Sequence, residues 1–195
     1  MSRHLKACFR ENVSTNKPDC SHILVEGFYQ PQYWLHLEVP FGTTLAKLDL
    51  FLRNIWLECC SHLSAFTIGG ERYYPELDDY FDKDMQINLE RIVTAGEVFT
   101  YEYDFGSTTD LTLKHLGNMT KCFSSREIAV LARNEEPQHL CECCGRKAEA
   151  VCADCIFDGS GWLCQVCAAD HECGEDALLP VLNSPRVGIC AYTGE

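Results

Sequence analysis

The chain has 195 residues, 46% of them apolar, with 29 acidic against 16 basic side chains, a net charge of −13 and 14 cysteines. The apolar fraction and the 21 aromatic residues exclude a disordered or collagen-like chain and suffice for a sizeable core. The acidity argues against nucleic acid or an anionic membrane as partner, because phosphates repel such a surface.

Residues 1–20 are polar and read as a lead-in or a short edge strand. From His22 the pattern is β-like: Ile23 and Val25 lead through Phe28-Tyr29 to a turn at Gln30-Pro31-Gln32. Tyr33, Leu35, Leu37 and Val39 then alternate with Trp34, His36 and Glu38, the period of two that a half-buried strand requires. Thr44 reads as the N-cap of a helix of about 14 residues, since Leu45, Leu48, Leu52 and Ile55 recur at helical spacing and Trp56 widens the stripe. A strand follows at Ser64 to Ile68, and Gly69-Gly70 predicts a hairpin into Arg72-Tyr73-Tyr74. Glu76 to Asp84 is an acidic loop without calcium-loop spacing. Ile87 to Val93 reads as a brief helical turn. Glu97 to Phe105 and Leu111 to Leu116 read as paired strands, and Ile128 to Arg133 as a last strand or a short helix, the strand being preferred. Asn134 to Gln138 reads as a linker. These elements predict an α+β fold in two parts, a hairpin-helix-strands domain over 21–136 and a cysteine-rich module with a tail over 137–195.

Eight of the cysteines fall between Cys141 and Cys173. A disulfide framework needs an oxidising compartment and usually a secretory signal, and Met1 to Arg10 has no apolar stretch of that kind. No stretch approaches the roughly 18 apolar residues that span a membrane. The expectation is therefore a cytoplasmic chain with reduced thiols, in which paired cysteines ligate metal. Cys141 and Cys144, Cys152 and Cys155, Cys164 and Cys167, and His171 and Cys173 form four closely spaced pairs. Two pairs must converge on each ion, because a structural zinc takes four donors, so the eight residues predict two zinc ions per chain. Pairing could be sequential or interleaved; the interleaved order, first with third and second with fourth, is preferred. Gly145 fits the tight turn after the first pair. Cys143 is a surplus thiol that could stand in for Cys141. Eight donors fill two sites completely, which makes both ions structural rather than catalytic. The spacing resembles the B-box and MYND class of cross-brace zinc fingers, over about 33 residues, and that resemblance implies a protein-interaction module.

The first part resembles a known family. The residues that carry this are Tyr33-Trp34-Leu35-His36-Leu37-Glu38-Val39-Pro40, Thr44-Leu45 with Leu48, Trp56 with His62-Leu63, Phe66 and Ile68, and above all Phe99, Tyr101 and Tyr103-Asp104-Phe105-Gly106. Together they are similar to the plasmid Ri ORF-three-like family, also described as insertion-element passenger proteins of the TnpR type, over roughly residues 20–135. The resemblance implies an α+β fold and no assigned activity. This chain continues with Ser107-Thr108-Thr109-Asp110, where members of the family often carry Asp, Trp and His.

No catalytic residue is assigned. Asp104, His62 and His36 are acid–base candidates, but no nucleophile, base and orienting group can be named together. Cys59 and Cys60 read as small buried hydrophobes. The expected function is a non-enzymatic protein-interaction module with structural zinc and a protein partner. The alternatives are a nucleic-acid-binding accessory of a mobile element and an enzyme with a site near Asp104. Seven thiolates against two Zn2+ would add about three negative charges, which weakens the nucleic-acid alternative.

Overall fold

A computed structural model describes residues 19–76, 83–123 and 126–194. The lead-in expected over 1–20 lies almost wholly outside the described residues, as does the middle of the acidic loop.

The fold is mostly sheet with few helices. Seven antiparallel strands form one sheet: β1 (Cys20–Gly27), β2 (Trp34–Pro40), β3 (Ser64–Ile68), β4 (Glu71–Tyr73), β5 (Val98–Tyr103), β6 (Thr109–Met119) and β7 (Ala129–Arg133), in the order β4-β3-β5-β6-β1-β2-β7. Gly69 and Gly70, at φ 58° and 85°, close the β3–β4 hairpin in the left-handed conformation that a two-residue turn needs. Thr44 caps α1 (Leu45–Leu52), its hydroxyl accepting from the Lys47 amide at 3.3 Å. The free amides of Leu45 and Ala46 donate to Ile87 O and Met85 O, so the following segment finishes the helix start. The helix continues as a π-helical turn over Arg53–Leu57, which together with α1 supplies the length expected from the apolar stripe.

Leu45, Leu48, Leu52, Trp56 and Leu57 pack against Ile23, Val25, Leu35, Leu37, Phe66, Tyr101 and Leu113 in one buried cluster. Burying these apolar side chains is the main stabilising term. Asp49, also on the buried face of α1, is held by three donors: Arg53 Nε at 2.9 Å, the Ser64 hydroxyl at 2.6 Å and the Tyr101 hydroxyl at 2.7 Å.

Two expectations change. The alternation in β2 predicts one dry face and one wet face, yet His36 and Glu38 are buried as well. Segment 119–123 folds across that face, and the Phe123 amide donates to Glu38 Oε2 at 2.7 Å. The same fold-back overturns the expectation that all thiols are reduced. Cys20 pairs with Met119 across β1 and β6, so the returning chain brings Cys122 over Cys20, with Cα atoms 5.8 Å apart, and the two form a disulfide.

The second part carries a three-stranded sheet, β8 (Ala150–Cys152), β9 (Trp162–Leu163) and β10 (Leu178–Pro180), in the order β10-β8-β9, and one turn of helix, α2 (Gln165–Ala168). It does not stand apart. Val151 and Val187 belong to the main core, and Ile156, Trp162 and Leu179 pack against it. The expected linker begins at an anchored residue. Asn134 is buried, accepts from the Trp34 amide at 3.0 Å and donates to Asn183 Oδ1 at 2.7 Å.

Candidate metal centres

The four sequence pairs converge two by two. Cys141, Cys144, Cys164 and Cys167 form one group, and Cys152, Cys155, His171 and Cys173 the other, with the ligand atoms of each group within 4.8 Å of one another. This joins the first pair to the third and the second to the fourth, the cross-brace arrangement. Both groups could hold a metal ion.

In the first group the chain turns tightly after Cys141, and the Gly145 amide donates to Cys141 O at 2.8 Å with φ 71°. Cys164 sits at the N-cap of α2, which places Cys167 one turn away on the same side. The Cys144 and Cys164 sulfurs are 3.6 Å apart. Cys143 is exposed and outside the group, so it does not replace Cys141. Backbone amides of Cys164, Cys143 and Cys144 bring the Cys141 thiol down to about 6, and the Arg146 side chain lowers Cys144. Hydrogen bonds from the thiols of Cys144, Cys164 and Cys141 push Cys167 up. Four sulfurs this close cannot all ionise without a cation.

In the second group Cys152 ends β8, Cys155 opens the 3-10 turn that follows, and His171 and Cys173 come from the chain leaving α2. Cys155 Sγ lies 3.6 Å from His171 Nε2 and 3.7 Å from Cys173 Sγ. Burial raises the Cys152 thiol, but the Cys155 amide, the His171 ring and the Asp154 amide outweigh it and bring the thiol to about 7.

These spacings suit a tetrahedral ion. Zinc–sulfur bonds of about 2.3 Å place two sulfurs about 3.7–3.8 Å apart, and a sulfur and a histidine nitrogen about 3.5 Å apart. The backbone is cut to the same shape. A Cβ on Gly161, at φ 94°, would lie 2.9 Å from Cys155 Cβ and 3.0 Å from Cys152 Cβ. Only glycine lets β9 pass this close to the second group.

The acid–base candidates take other roles. His36 packs on His22, with ring nitrogens 2.9 Å apart. Asp104 does approach His62, Oδ2 to Nε2 at 3.6 Å, but that oxygen also accepts from Arg186 Nη2 at 2.8 Å. Sequence reasoning missed Arg186 and missed a further group of metal-capable side chains, Cys59, Cys60, His62 and Cys190. The run Cys59-Cys60-Ser61-His62 held a ligand-like spacing, but its fourth member lies 128 residues beyond His62.

Among the described residues no helix is long and apolar enough to cross a membrane. No curated protein matches the chain. A crystal structure of a protein of unknown function from Methanosarcina mazei Go1 is similar in fold, at 17% identity and a TM-score of 0.53, over 60% of this chain and 69% of that one. The family model for plasmid pRiA4b ORF-3-like proteins matches residues 22–145, from the first strand to the first cysteine turn of the metal-capable module. On that match, which spans more than half of its residues, the chain belongs to the plasmid pRiA4b ORF-3-like family.

Proposed function

We propose that this protein is a non-enzymatic protein-interaction module whose second part is folded by two structural zinc ions. The observation that carries the reading is the pair of closed four-donor sets: four thiols in one, three thiols and an imidazole in the other. Four protein donors leave no open position for substrate, which favours a structural role. A region with three short strands and one turn of helix buries too little to fold alone, so metal binding supplies folding free energy. The interaction role draws support from Leu140, Phe157 and Val166, three large apolar side chains of this part that are more than half exposed.

The test is elemental analysis of the full chain with and without chelation. Zinc should be present in both groups, and a strong chelator should expose residues 139–180 to protease while the seven-stranded sheet stays protected. Protein purified without zinc would overturn the reading. Replacing Leu140, Phe157 and Val166 with Ser should keep the metal and abolish zinc-dependent crosslinking to a partner. Unchanged crosslinking would leave the metal sites standing and remove the interaction role.

A further inference from the structure

We propose that Cys59, Cys60, His62 and Cys190 bind a third metal ion, a zinc, that clasps the C-terminal tail to the loop after the helix. The four ligand atoms lie within 4.8 Å of one another, as in the two cross-brace groups. Cys60 Sγ is 3.7 Å from Cys190 Sγ, and Cys190 Sγ is 3.5 Å from His62 Nε2. A tetrahedral zinc with bonds of about 2.3 Å to sulfur and 2.0–2.1 Å to nitrogen demands edges of about 3.7–3.8 Å and 3.5 Å. Three thiols and one imidazole form the same donor set as the second cross-brace group.

The surroundings are built around this point. Among the described residues only three non-glycine residues have positive φ: Ser61 at 56°, Asp104 at 64° and Cys190 at 56°. Cys190 is one of the four, Ser61 sits between Cys60 and His62, and Asp104 approaches His62. Such conformations cost free energy and persist where surrounding contacts enforce them, which is common at functional sites. The ligand loop is also braced from below. Arg53 Nη2 donates to His62 O at 2.8 Å, Glu58 Oε1 accepts from the Ser61 amide at 2.6 Å, and the Tyr103 hydroxyl donates to Glu58 at 3.0 Å. Arg186 Nη2 lies 3.4 Å from Cys59 Sγ, where its charge offsets the surplus negative charge of three thiolates on one dication.

Two rival readings fit less of this geometry. A Cys60–Cys190 disulfide would close the 3.7 Å gap to about 2.05 Å and leave Cys59 and His62 without a role. A Cys190–His62–Asp104 catalytic triad needs the cysteine and the carboxylate on opposite ring nitrogens, yet both face Nε2.

The experiment counts zinc per chain in the full protein purified anaerobically under reductant. Wild type should hold three ions. His62→Ala and Cys190→Ala should each hold one fewer, and His62→Cys, which restores a fourth donor as thiolate, should return the count to that of wild type. Cobalt substitution should show one fewer thiolate-ligated tetrahedral ion in Cys190→Ala. If Cys190→Ala misfolds and loses all metal, His62→Cys against His62→Ala decides: recovery of one ion supports the site, and no recovery overturns it. A count unchanged by both alanine variants, or a Cys60–Cys190 disulfide in peptide mapping, also overturns it. The cross-brace reading fails separately, if Cys144→Ser and Cys155→Ser leave the count unchanged.

Discussion

Arg186, with no solvent exposure, donates to Asp104 Oδ2 at 2.8 Å and so ties the C-terminal tail to the end of β5. Its other amino group donates to Ser107 O at 3.1 Å and Thr109 Oγ1 at 3.0 Å, and its guanidinium lies over the Tyr103 ring. Replacing Arg186 with Ala removes the charged partner of a buried carboxylate that keeps the Gly106 amide at 3.0 Å, a loss of about 3 kcal/mol. Urea unfolding should therefore show a large loss for Arg186→Ala. A loss under about 1 kcal/mol, the worth of an exposed ion pair, would mean that the tail is not seated as described.

Gly161 and Gly159 both have positive φ, at 94° and 77°, but only Gly161 faces the second metal group; a Cβ at Gly159 would meet open space. Gly159→Ala should cost about 1–2 kcal/mol from backbone strain alone and keep full metal content. Gly161→Ala should lose metal from the Cys152 group while the Cys141 group stays loaded. Equal metal content in the two variants would show that close approach at Gly161 is not required.

Cys143 and Cys141 are two positions apart, and only Cys141 joins the metal-capable group. Cys143→Ser should leave metal content and thermal stability unchanged, whereas Cys141→Ser should lower both. The reverse result would place Cys143 in the ligand set.

Tyr101 donates to Asp49, and its pKa lies well above 10 because of burial first and the Asp49 charge second. A phenol with a raised folded-state pKa stabilises the fold fully below the unfolded value near 10, and that stability is lost as pH rises beyond it. Alkaline titration of stability should thus fall from about pH 10 upward in wild type. Tyr101→Phe should cost about 1–3 kcal/mol at pH 8, because Asp49 loses a donor, and should flatten the alkaline fall. An identical alkaline slope in the variant would refute the assignment.

Much of this architecture is legible locally. Gly69-Gly70 specifies its hairpin, Thr44 its helix start, and the alternation from Tyr33 to Val39 its strand, because each follows from the backbone preferences of a few neighbouring residues. The four pairs of metal-capable residues are legible for the same reason: a Cys-x2-Cys or His-x-Cys turn is a local object. Asp49 was not legible, because an acidic residue between Leu48 and Leu50 reads as solvated until Arg53, Ser64 and Tyr101 converge on it.

The cysteines divide along this line. The sequence by itself determined that eight ligand-type residues sit at metal-binding spacing in the second part and that the chain carries a net charge of −13. Only the tertiary structure decided which pairs meet, that Cys20 bonds to Cys122, and that Cys190 returns to Cys59, Cys60 and His62. The last two contacts join residues more than 100 positions apart, and no local propensity encodes them. They exist because β1 pairs with β6 and because Arg186 and Val187 are buried against the first sheet, which carries the tail back over the loop after the helix.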